Sequence, residues 1–162
     1  MQDSIVTSVS TSRFEAVWRE HGARLWRALL EFTGDPDLAS DALAEAFAQA
    51  MARGDEILEP DRWIWRASFK IAAGDLKARR ANLSPASLPE RSTDLPEPVV
   101  DLVAALRTLS SKQRAAAVLH YYADLPVSEV ARILDCTQTT VRVHLLQARR
   151  RLRPLLEADD DA

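Results

Sequence analysis

The pattern of residues 125–152, LPVSEVARILDCTQTTVRVHLLQARRRL, constrains the fold of this chain more than any other segment. Apolar residues recur at helical spacing over residues 127–134 and again over residues 141–152. Asp135 interrupts both patterns, and Asp tolerates the left-handed backbone conformation that a sharp turn between helices requires. The sequence therefore predicts a short helix, a tight turn and a longer second helix. This helix-turn-helix arrangement places its second helix in the major groove of DNA.

The second helix of this motif has the features of a duplex-binding surface. Residues 138–154 contain five arginines and no acid. Arginines suit phosphate contacts, and outward residues near the start of the helix suit base edges. The alternative is that two amphipathic helices simply pack as part of a bundle, but the short turn and the absence of acids favour DNA. The predicted duplex-contacting residues lie opposite or beside the apolar stripe: Gln138, Thr139, Thr140, Arg142, Val143, His144, Leu146, Gln147, Arg149 and Arg150.

A second basic segment, residues 61–80, interleaves aromatic residues with cations. Rings stack on unpaired bases and cations contact phosphates, so this composition is typical of a surface for a single strand or a melted duplex. Trp63 and Trp65 are two residues apart and cannot share one helix face, so we expect one in the core and the other nearer the surface. The alternative is a core tryptophan beside a solvated charged face. The predicted strand-contacting residues are Arg62, Trp63, Trp65, Arg66, Phe69, Lys70, Lys77, Arg79 and Arg80.

The charge of the whole chain is the opposite of what an isolated DNA-binding protein usually carries. The formal net charge is −3, and residues 31–61 contain nine acids and one arginine. A protein that binds DNA alone is usually basic. We therefore expect this chain to bind DNA within a larger assembly, with its acidic surface turned to a basic partner or away from DNA.

Other features bear on compartment and chemistry. The one cysteine, Cys136, cannot form an internal disulfide, which indicates a reducing cytosol. We expect no metal or cofactor because no Cys/His cluster is present, and no membrane insertion because no run of ~20 apolar residues exists. The first residues lack the apolar region of a signal peptide. No nucleophile–base pair or phosphate-binding loop is visible, so we expect neither an enzyme nor a small-molecule substrate.

The pattern is helical throughout and predicts an all-α fold of two small domains, residues 12–82 and 99–157. Residues 83–98 contain four prolines and predict a flexible linker. In the first domain, a capping box at Ser12 predicts a helix start, with Trp18 on the apolar face of that helix. Asp35 and the following proline predict the start of a second helix, Gly54 its end, and a third helix begins near Pro60. In the second domain, Ser110 opens another capping box within a group of four helices.

Several of these segments together resemble one protein family. Residues 102–152 are similar to region 4 of bacterial σ factors, through the Q-R, Y-Y, E-V-A, T-V and A-R-x-x-L elements. Residues 25–51 and the W-I-W-R helix resemble σ region 2. Over residues 14–156, the chain resembles the extracytoplasmic-function (ECF, group 4) σ factors of the σ70 family.

The resemblance implies a role in transcription initiation in the cytoplasm. Such proteins bind core RNA polymerase through the β′ clamp helices and the β flap, and family members are commonly held inactive by an anti-σ factor. Region 4 reads the −35 duplex and region 2 captures the −10 non-template strand, which assigns the two DNA-contacting sets above. The polymerase-contacting residues that the resemblance implies are Leu38, Asp41, Ala42, Glu45 and Gln49.

The chain also departs from the family pattern. Lys70 and Gly74 stand where Asn and Asp are common in the −10 helix. Val143 and Leu146 are apolar residues on the predicted DNA face, where they contact either thymine methyl groups or an anti-σ factor.

Two other functions fit parts of the sequence. An independent helix-turn-helix regulator usually binds as a dimer, but no dimerisation helix is apparent and the tryptophan-bearing segment is left unexplained. A σ-like decoy for an anti-σ factor usually carries a receiver domain and does not need the arginines of residues 138–154. A promoter-specificity factor accounts for both basic segments.

Overall fold

The computed structural model describes residues 2–82 and 97–160, and the side chains of residues 12–82 and 102–155. Within these residues the chain forms seven α-helices and no β-strand, which confirms the all-α prediction. A 3₁₀ turn (Gly54–Glu56) follows the second helix, and a turn of π-helix (Val118–Tyr122) continues the fifth. The helices are α1 (Gln2–Thr33), α2 (Pro36–Arg53), α3 (Pro60–Asn82), α4 (Glu97–Arg107), α5 (Ser111–Ala117), α6 (Val127–Leu134) and α7 (Gln138–Asp160). The predicted linker falls almost wholly outside the described residues.

Local capping sets most of the helix ends where the sequence predicts them. The Oδ1 atom of Asp35 accepts hydrogen bonds from the backbone N–H groups of Asp37 (2.8 Å) and Leu38 (3.2 Å), and so caps α2. Gly54 ends α2 with a φ of 55°. Ser110 and Gln113 form the predicted capping box at the start of α5. Short-range hydrogen bonds therefore account for these ends without any tertiary contact.

The predicted start of α1 is wrong. The helix begins at Gln2, ten residues before Ser12, and Ser12 lies inside it. A Ser-x-x-Glu sequence caps a helix only where the chain enters the helix at the serine, and here residues 2–11 are already helical.

Each group of helices has an apolar interior that follows from its sequence periodicity. In the first group, α1, α2 and α3 pack through residues such as Leu29, Ala42 and Ile64, each 0% exposed. In the second group, the apolar stripe of α7 packs against α5 and α6, with Val141 and Ala148 also 0% exposed. The domain bounds predicted above remain a prediction, because the two cores join into a single cluster.

The turn between α6 and α7 has the predicted geometry. Asp135 has a φ of 54° and lies in the left-handed region. The Oγ1 atom of Thr137 accepts a hydrogen bond from the backbone N–H of Thr140 at 3.1 Å and caps α7. Residues 127–160 therefore form a helix-turn-helix.

The two groups of helices pack directly against each other. The guanidinium of Arg114, on α5, lies 5.2 Å from the centre of the Phe32 ring on α1. The Nη2 atom of Arg107 donates a hydrogen bond to the carbonyl oxygen of Gly34 at 3.4 Å. Gly34 has a φ of +68°, and a Cβ atom there would lie 2.7 Å from the side chain of Val103. None of the helices in the described part of the chain is long and apolar enough to cross a membrane.

Two glycine substitutions are expected to change stability in opposite directions. Gly34→Ala lowers the free energy of unfolding by about 1–2 kcal/mol for the left-handed backbone alone, and further because of the contact with Val103. Gly74→Ala, in the exposed interior of α3 with open space around it, raises it by about 0.5–1 kcal/mol. Urea denaturation followed by circular dichroism measures both. An unchanged or raised free energy of unfolding for Gly34→Ala would contradict the assignment of Gly34 to the junction between the groups.

Candidate nucleic-acid interface

The outer face of α7 presents most of the predicted duplex-contacting residues to solvent. Val143 and Leu146 are 45% and 42% exposed, which confirms that these apolar residues point outward. The buried stripe of Val141 and Leu145 occupies the opposite side of the helix and holds it against α5 and α6. Eight of the ten predicted residues are exposed: Gln138, Thr139, Arg142, Val143, Leu146, Gln147, Arg149 and Arg150.

The other two residues, Thr140 and His144, are half-buried and line a cavity between α3 and the helix-turn-helix. The Nδ1 atom of His144 is buried and has no hydrogen-bond partner within the described part of the protein. Burial, with a smaller contribution from the charge of Lys112, lowers the pKa of His144 below 6.5. The structure therefore directs His144 into the protein and not onto the outer face of α7, because its position lies beside the buried stripe.

Two predicted strand-contacting aromatic residues of α3 lie in the core instead. Trp65 and Phe69 are 5% and 3% exposed, and their rings lie parallel with centres 6.2 Å apart. Phe69 also packs on Phe32, at 5.3 Å. The prediction that Trp65 and Phe69 contact a single strand is corrected, since neither ring presents a face to solvent.

Trp63 lies nearer the surface, as expected for a tryptophan two residues from a buried one. It is half-buried, and the guanidinium of Arg53 lies 5.2 Å from its ring centre. The expectation that one of the two tryptophans is core and the other is not is confirmed.

Three arginines of α3 form ion pairs with acids elsewhere in the chain. Arg62 donates two hydrogen bonds to Glu129 of α6, from Nε (3.0 Å) and Nη2 (2.9 Å), and also pairs with Glu59. Arg66 lies 3.5 Å from Asp135, in the turn of the helix-turn-helix. A third such pair joins α3 to the cap of α2 through Arg79 and Asp35. The other predicted cations, Lys70, Lys77 and Arg80, are exposed.

The pairs to Glu129 and Asp135 join the predicted strand-binding helix to the helix-turn-helix. Both acids belong to the helix-turn-helix, and both of their partners belong to the predicted strand-binding helix. A strand phosphate and these carboxylates compete for the same guanidinium groups. In this arrangement two arginines of the predicted strand-binding helix are therefore occupied by acids of α6 and of the turn that follows it.

The predicted polymerase-contacting face of α2 is acidic at its centre. Asp41 and Glu45 are exposed, Leu38 and Gln49 are half-buried, and the amide of Gln49 donates to Glu45 at 2.8 Å. Ala42 is 0% exposed and is corrected from a contact residue to a packing residue, because it lies on the side of α2 that faces the core.

An exposed aromatic surface between α1 and α2 was missed by the sequence reasoning. Trp18, expected on the apolar face of α1, is 54% exposed and meets Phe47 edge to face at 5.1 Å between ring centres. The indole N–H of Trp26 donates to the hydroxyl of Ser40 at 3.0 Å. The exposure of Trp18 could have been predicted from its position one residue after the apolar Val17, because adjacent residues of a helix face about 100° apart.

Among the described residues, no three His, Cys, Asp or Glu side chains lie close enough together to hold a metal ion.

Known proteins are similar to this chain over nearly its whole length. A family model described as "Sigma-70, region 4" matches residues 100–152. The chain is 29% identical over 155 residues to the ECF RNA polymerase sigma factor SigL of Mycobacterium tuberculosis (strain ATCC 25618 / H37Rv), covering 88% of each chain. It is 30% identical over 155 residues to the RNA polymerase sigma-E factor of Streptomyces avermitilis, covering 91% of this chain and 87% of the relative.

The fold is also similar to a solved structure. The sigma factor RpoE, in its complex with the anti-sigma factor NepR from Bartonella quintana, superimposes with a TM-score of 0.67 at 22% sequence identity. The match covers 87% of this chain and 96% of that chain. The similarity therefore extends over both groups of helices.

The lowered pKa of His144 predicts that the stability of the folded chain decreases as the pH falls. Between pH 6.5 and the lower folded-state pKa, the unfolded chain binds more protons at this residue than the folded chain does. Its contribution to stability is therefore fully present above pH 6.5 and is lost as the pH falls. We expect His144→Gln to gain stability relative to the wild type as the pH is lowered from 7.5 to 5. NMR titration of the imidazole measures the pKa directly, and a midpoint at or above 6.5 would contradict the burial argument.

Proposed function

The chain belongs to the ECF RNA polymerase σ factors, and we propose that it binds core RNA polymerase and directs it to promoters as a group 4 member of the σ70 family. In this proposal the helix-turn-helix reads a −35 duplex, and α3 binds the −10 non-template strand. The observation that carries the proposal is the division of α7 into a buried apolar stripe and an exposed outer face with arginines along it.

The −35 duplex contacts are proposed for the exposed residues of α7. Gln138 and Thr139 begin the helix and are suited to base edges, while Arg142, Arg149 and Arg150 are suited to phosphates. Val143 and Leu146 contact thymine methyl groups or an anti-σ factor. Thr140 and His144 are left out of this set, because both line the cavity between the helix groups.

The −10 strand contacts are proposed for the outer side of α3. Lys70, Lys77 and Arg80 are exposed cations, and the half-buried ring of Trp63 is the remaining aromatic group available for stacking. Arg62 and Arg66 join this set once Glu129 and Asp135 of the helix-turn-helix are released. Arg79 pairs with Asp35 inside the first helix group and joins the set only where a phosphate replaces that carboxylate. Trp65 and Phe69 are left out of this set, because Phe69 packs on Phe32 of α1 and Trp65 stacks on Phe69, both within the first helix group.

The polymerase contact is proposed for the exposed side of α2. Asp41 and Glu45 supply negative charge for basic residues of the β′ clamp helices, with Leu38 and Gln49 beside them. The exposed Trp18 adjoins this side of α2 through its contact with Phe47 and extends the surface with apolar area. The second helix group binds the β flap.

We further propose that polymerase binding separates the two helix groups. We call the arrangement of the structure, in which the two helix groups are in contact, the closed arrangement. In it, Glu129 and Asp135 of the helix-turn-helix pair with arginines of α3. The chain as a whole also carries a net charge of −3. Both features oppose binding of the free chain to DNA. An anti-σ factor that favours the closed arrangement would hold the protein inactive in the cytoplasm.

Transcription with purified components tests the proposed function. Core polymerase, the chain and genomic fragments are expected to yield transcripts with defined start sites, and none without the chain. The double variant Asp41→Arg and Glu45→Arg is expected to lose transcription and core binding by at least tenfold while keeping its helical content. Glu56→Arg makes the same kind of substitution once on the exposed 3₁₀ turn, with half of the charge change, and serves as the control for charge reversal outside α2. Core binding without start-site-specific transcripts would favour the decoy, and operator binding without polymerase would favour the independent regulator.

A second experiment tests the ion pairs between the groups. The double variant Glu129→Gln and Asp135→Asn is expected to bind a single-stranded −10 oligonucleotide roughly threefold to tenfold more tightly, because partly exposed pairs contribute about 0.2–1 kcal/mol each. Asn at position 135 tolerates the left-handed backbone. Fluorescence anisotropy with labelled oligonucleotides provides the measurement.

Glu59→Gln is the matched control, because it removes one negative charge beside Arg62 from within the same helix group. A gain in binding free energy for this single-charge control of at least half that of the double variant would show that total charge, and not the contact between the groups, limits strand binding.

A further inference from the structure

We propose that the cavity between α3 and the helix-turn-helix binds a small amphipathic anion, meaning a carboxylate or sulfonate attached to an apolar or aromatic body. The cavity has a volume of about 320 Å³ and is lined by residues of α1, α3, α5, α6, α7 and the turn between the last two. This volume lies within the range of ordinary small-molecule sites, about 300–1,000 Å³.

The interior wall of the cavity is apolar. Phe32 and Phe69 contribute aromatic rings from the first helix group, and Ile133 and Leu134 contribute aliphatic side chains from the second. All four are wholly or partly buried in the protein. A ligand with only polar atoms, such as inorganic phosphate, would leave this wall without apolar contacts.

The remaining lining is positively charged. Arg66, Lys70 and Lys112 face Asp135, so three cations and one carboxylate leave two positive charges in excess. Arg66 pairs with Asp135 at 3.5 Å, while Lys70 and Lys112 are exposed at the edge. This balance disfavours a cationic ligand and favours an anion, whose head group can contact the two lysines.

The ring of His144 forms part of the wall of the cavity. Its Nδ1 atom is buried and has no hydrogen-bond partner within the described residues, and a buried polar atom without a partner costs free energy. Thr140 and Ser111 also line the cavity. A ligand that places an anionic group at the lysines and an apolar body on the rings satisfies both the charged and the apolar parts of the lining.

Such a ligand would act on both helix groups at once. Because it contacts α3 on one side and α5 to α7 on the other, its binding favours the closed arrangement. The biological consequence rests on the function proposed above: in the closed arrangement, Arg66 and Lys70 would not be available to the −10 strand. The binding site itself does not depend on that function.

Two fluorescent probes of matched shape test the site in the full chain. One is 8-anilinonaphthalene-1-sulfonate, an aromatic anion, and the other is N-phenyl-1-naphthylamine, its uncharged analogue. We expect the anion to bind more tightly than the analogue. The double variant Lys70→Gln and Lys112→Gln is expected to weaken binding of the anion by about tenfold, since the two exposed lysines supply the charge-assisted contacts to its head group. Affinity for the analogue should stay unchanged.

Matched variants separate the cavity from other surfaces. Lys77→Gln removes a charge from the same helix outside the cavity and should leave both affinities unchanged. Ala73→Trp places a large side chain at an exposed lining position and should lower the affinity for both probes. Addition of the anion should also shift the NMR signals of the His144 imidazole.

Wild-type affinity for the anion in the double lysine variant, or in Ala73→Trp, would overturn the proposal. No DNA or polymerase enters the assay, so failure here leaves the proposed transcription function untouched. Failure of transcription likewise leaves this site untouched.

Discussion

Burial of the inner face of α3 is the interaction on which the rest of the structure depends. Trp65 and Phe69 lie between α1 and the helix-turn-helix: Phe69 packs on Phe32, and both residues line cavities together with Ile133 of α6, within a cluster that includes the cores of both helix groups. The ion pairs of Arg62 and Arg66 form only because this apolar contact brings α6 and its following turn against α3. The same contact encloses the cavity at His144. One apolar surface therefore decides which polar groups of the chain face solvent and which face each other.

The contact between the groups is not uniformly favourable. Arg114 is 2% exposed, and its Nε and Nη2 atoms have no hydrogen-bond partner within the described residues. Burial, with nearby Arg80 and Arg107, lowers the pKa of Arg114 to about 10, so it is still charged at neutral pH. A buried charge without an anion costs free energy, and the ring of Phe32 offsets only part of that cost. Separation of the two groups would rehydrate this guanidinium, which suits a protein proposed to open on binding polymerase.

The parts of the fold predicted correctly from the sequence are those that local chemistry determines. The caps at Asp35 and Ser110 and the left-handed Asp135 each depend on residues within a few positions along the chain. The start of α1 failed because Ser12 has a capping sequence within a segment that is already helical. Among the site residues, the exposed face of α7 followed from periodicity. Trp65 and Phe69 were misassigned because a composition typical of binding does not say which side of a helix is covered, and Ala42 because a family resemblance assigns a contact by position and not by exposure.

The sequence by itself determined the all-α class, the helix-turn-helix and the family, because helical periodicity, caps and motif spacing are properties of neighbouring residues. Only the tertiary structure decided that Glu129 and Asp135 engage α3, that His144 turns into a cavity and that Trp18 lies exposed beside α2. These facts depend on which helix faces pack together across long separations in the chain. Side-chain identity sets what each residue can contact, and the packing of α3 sets what it does contact.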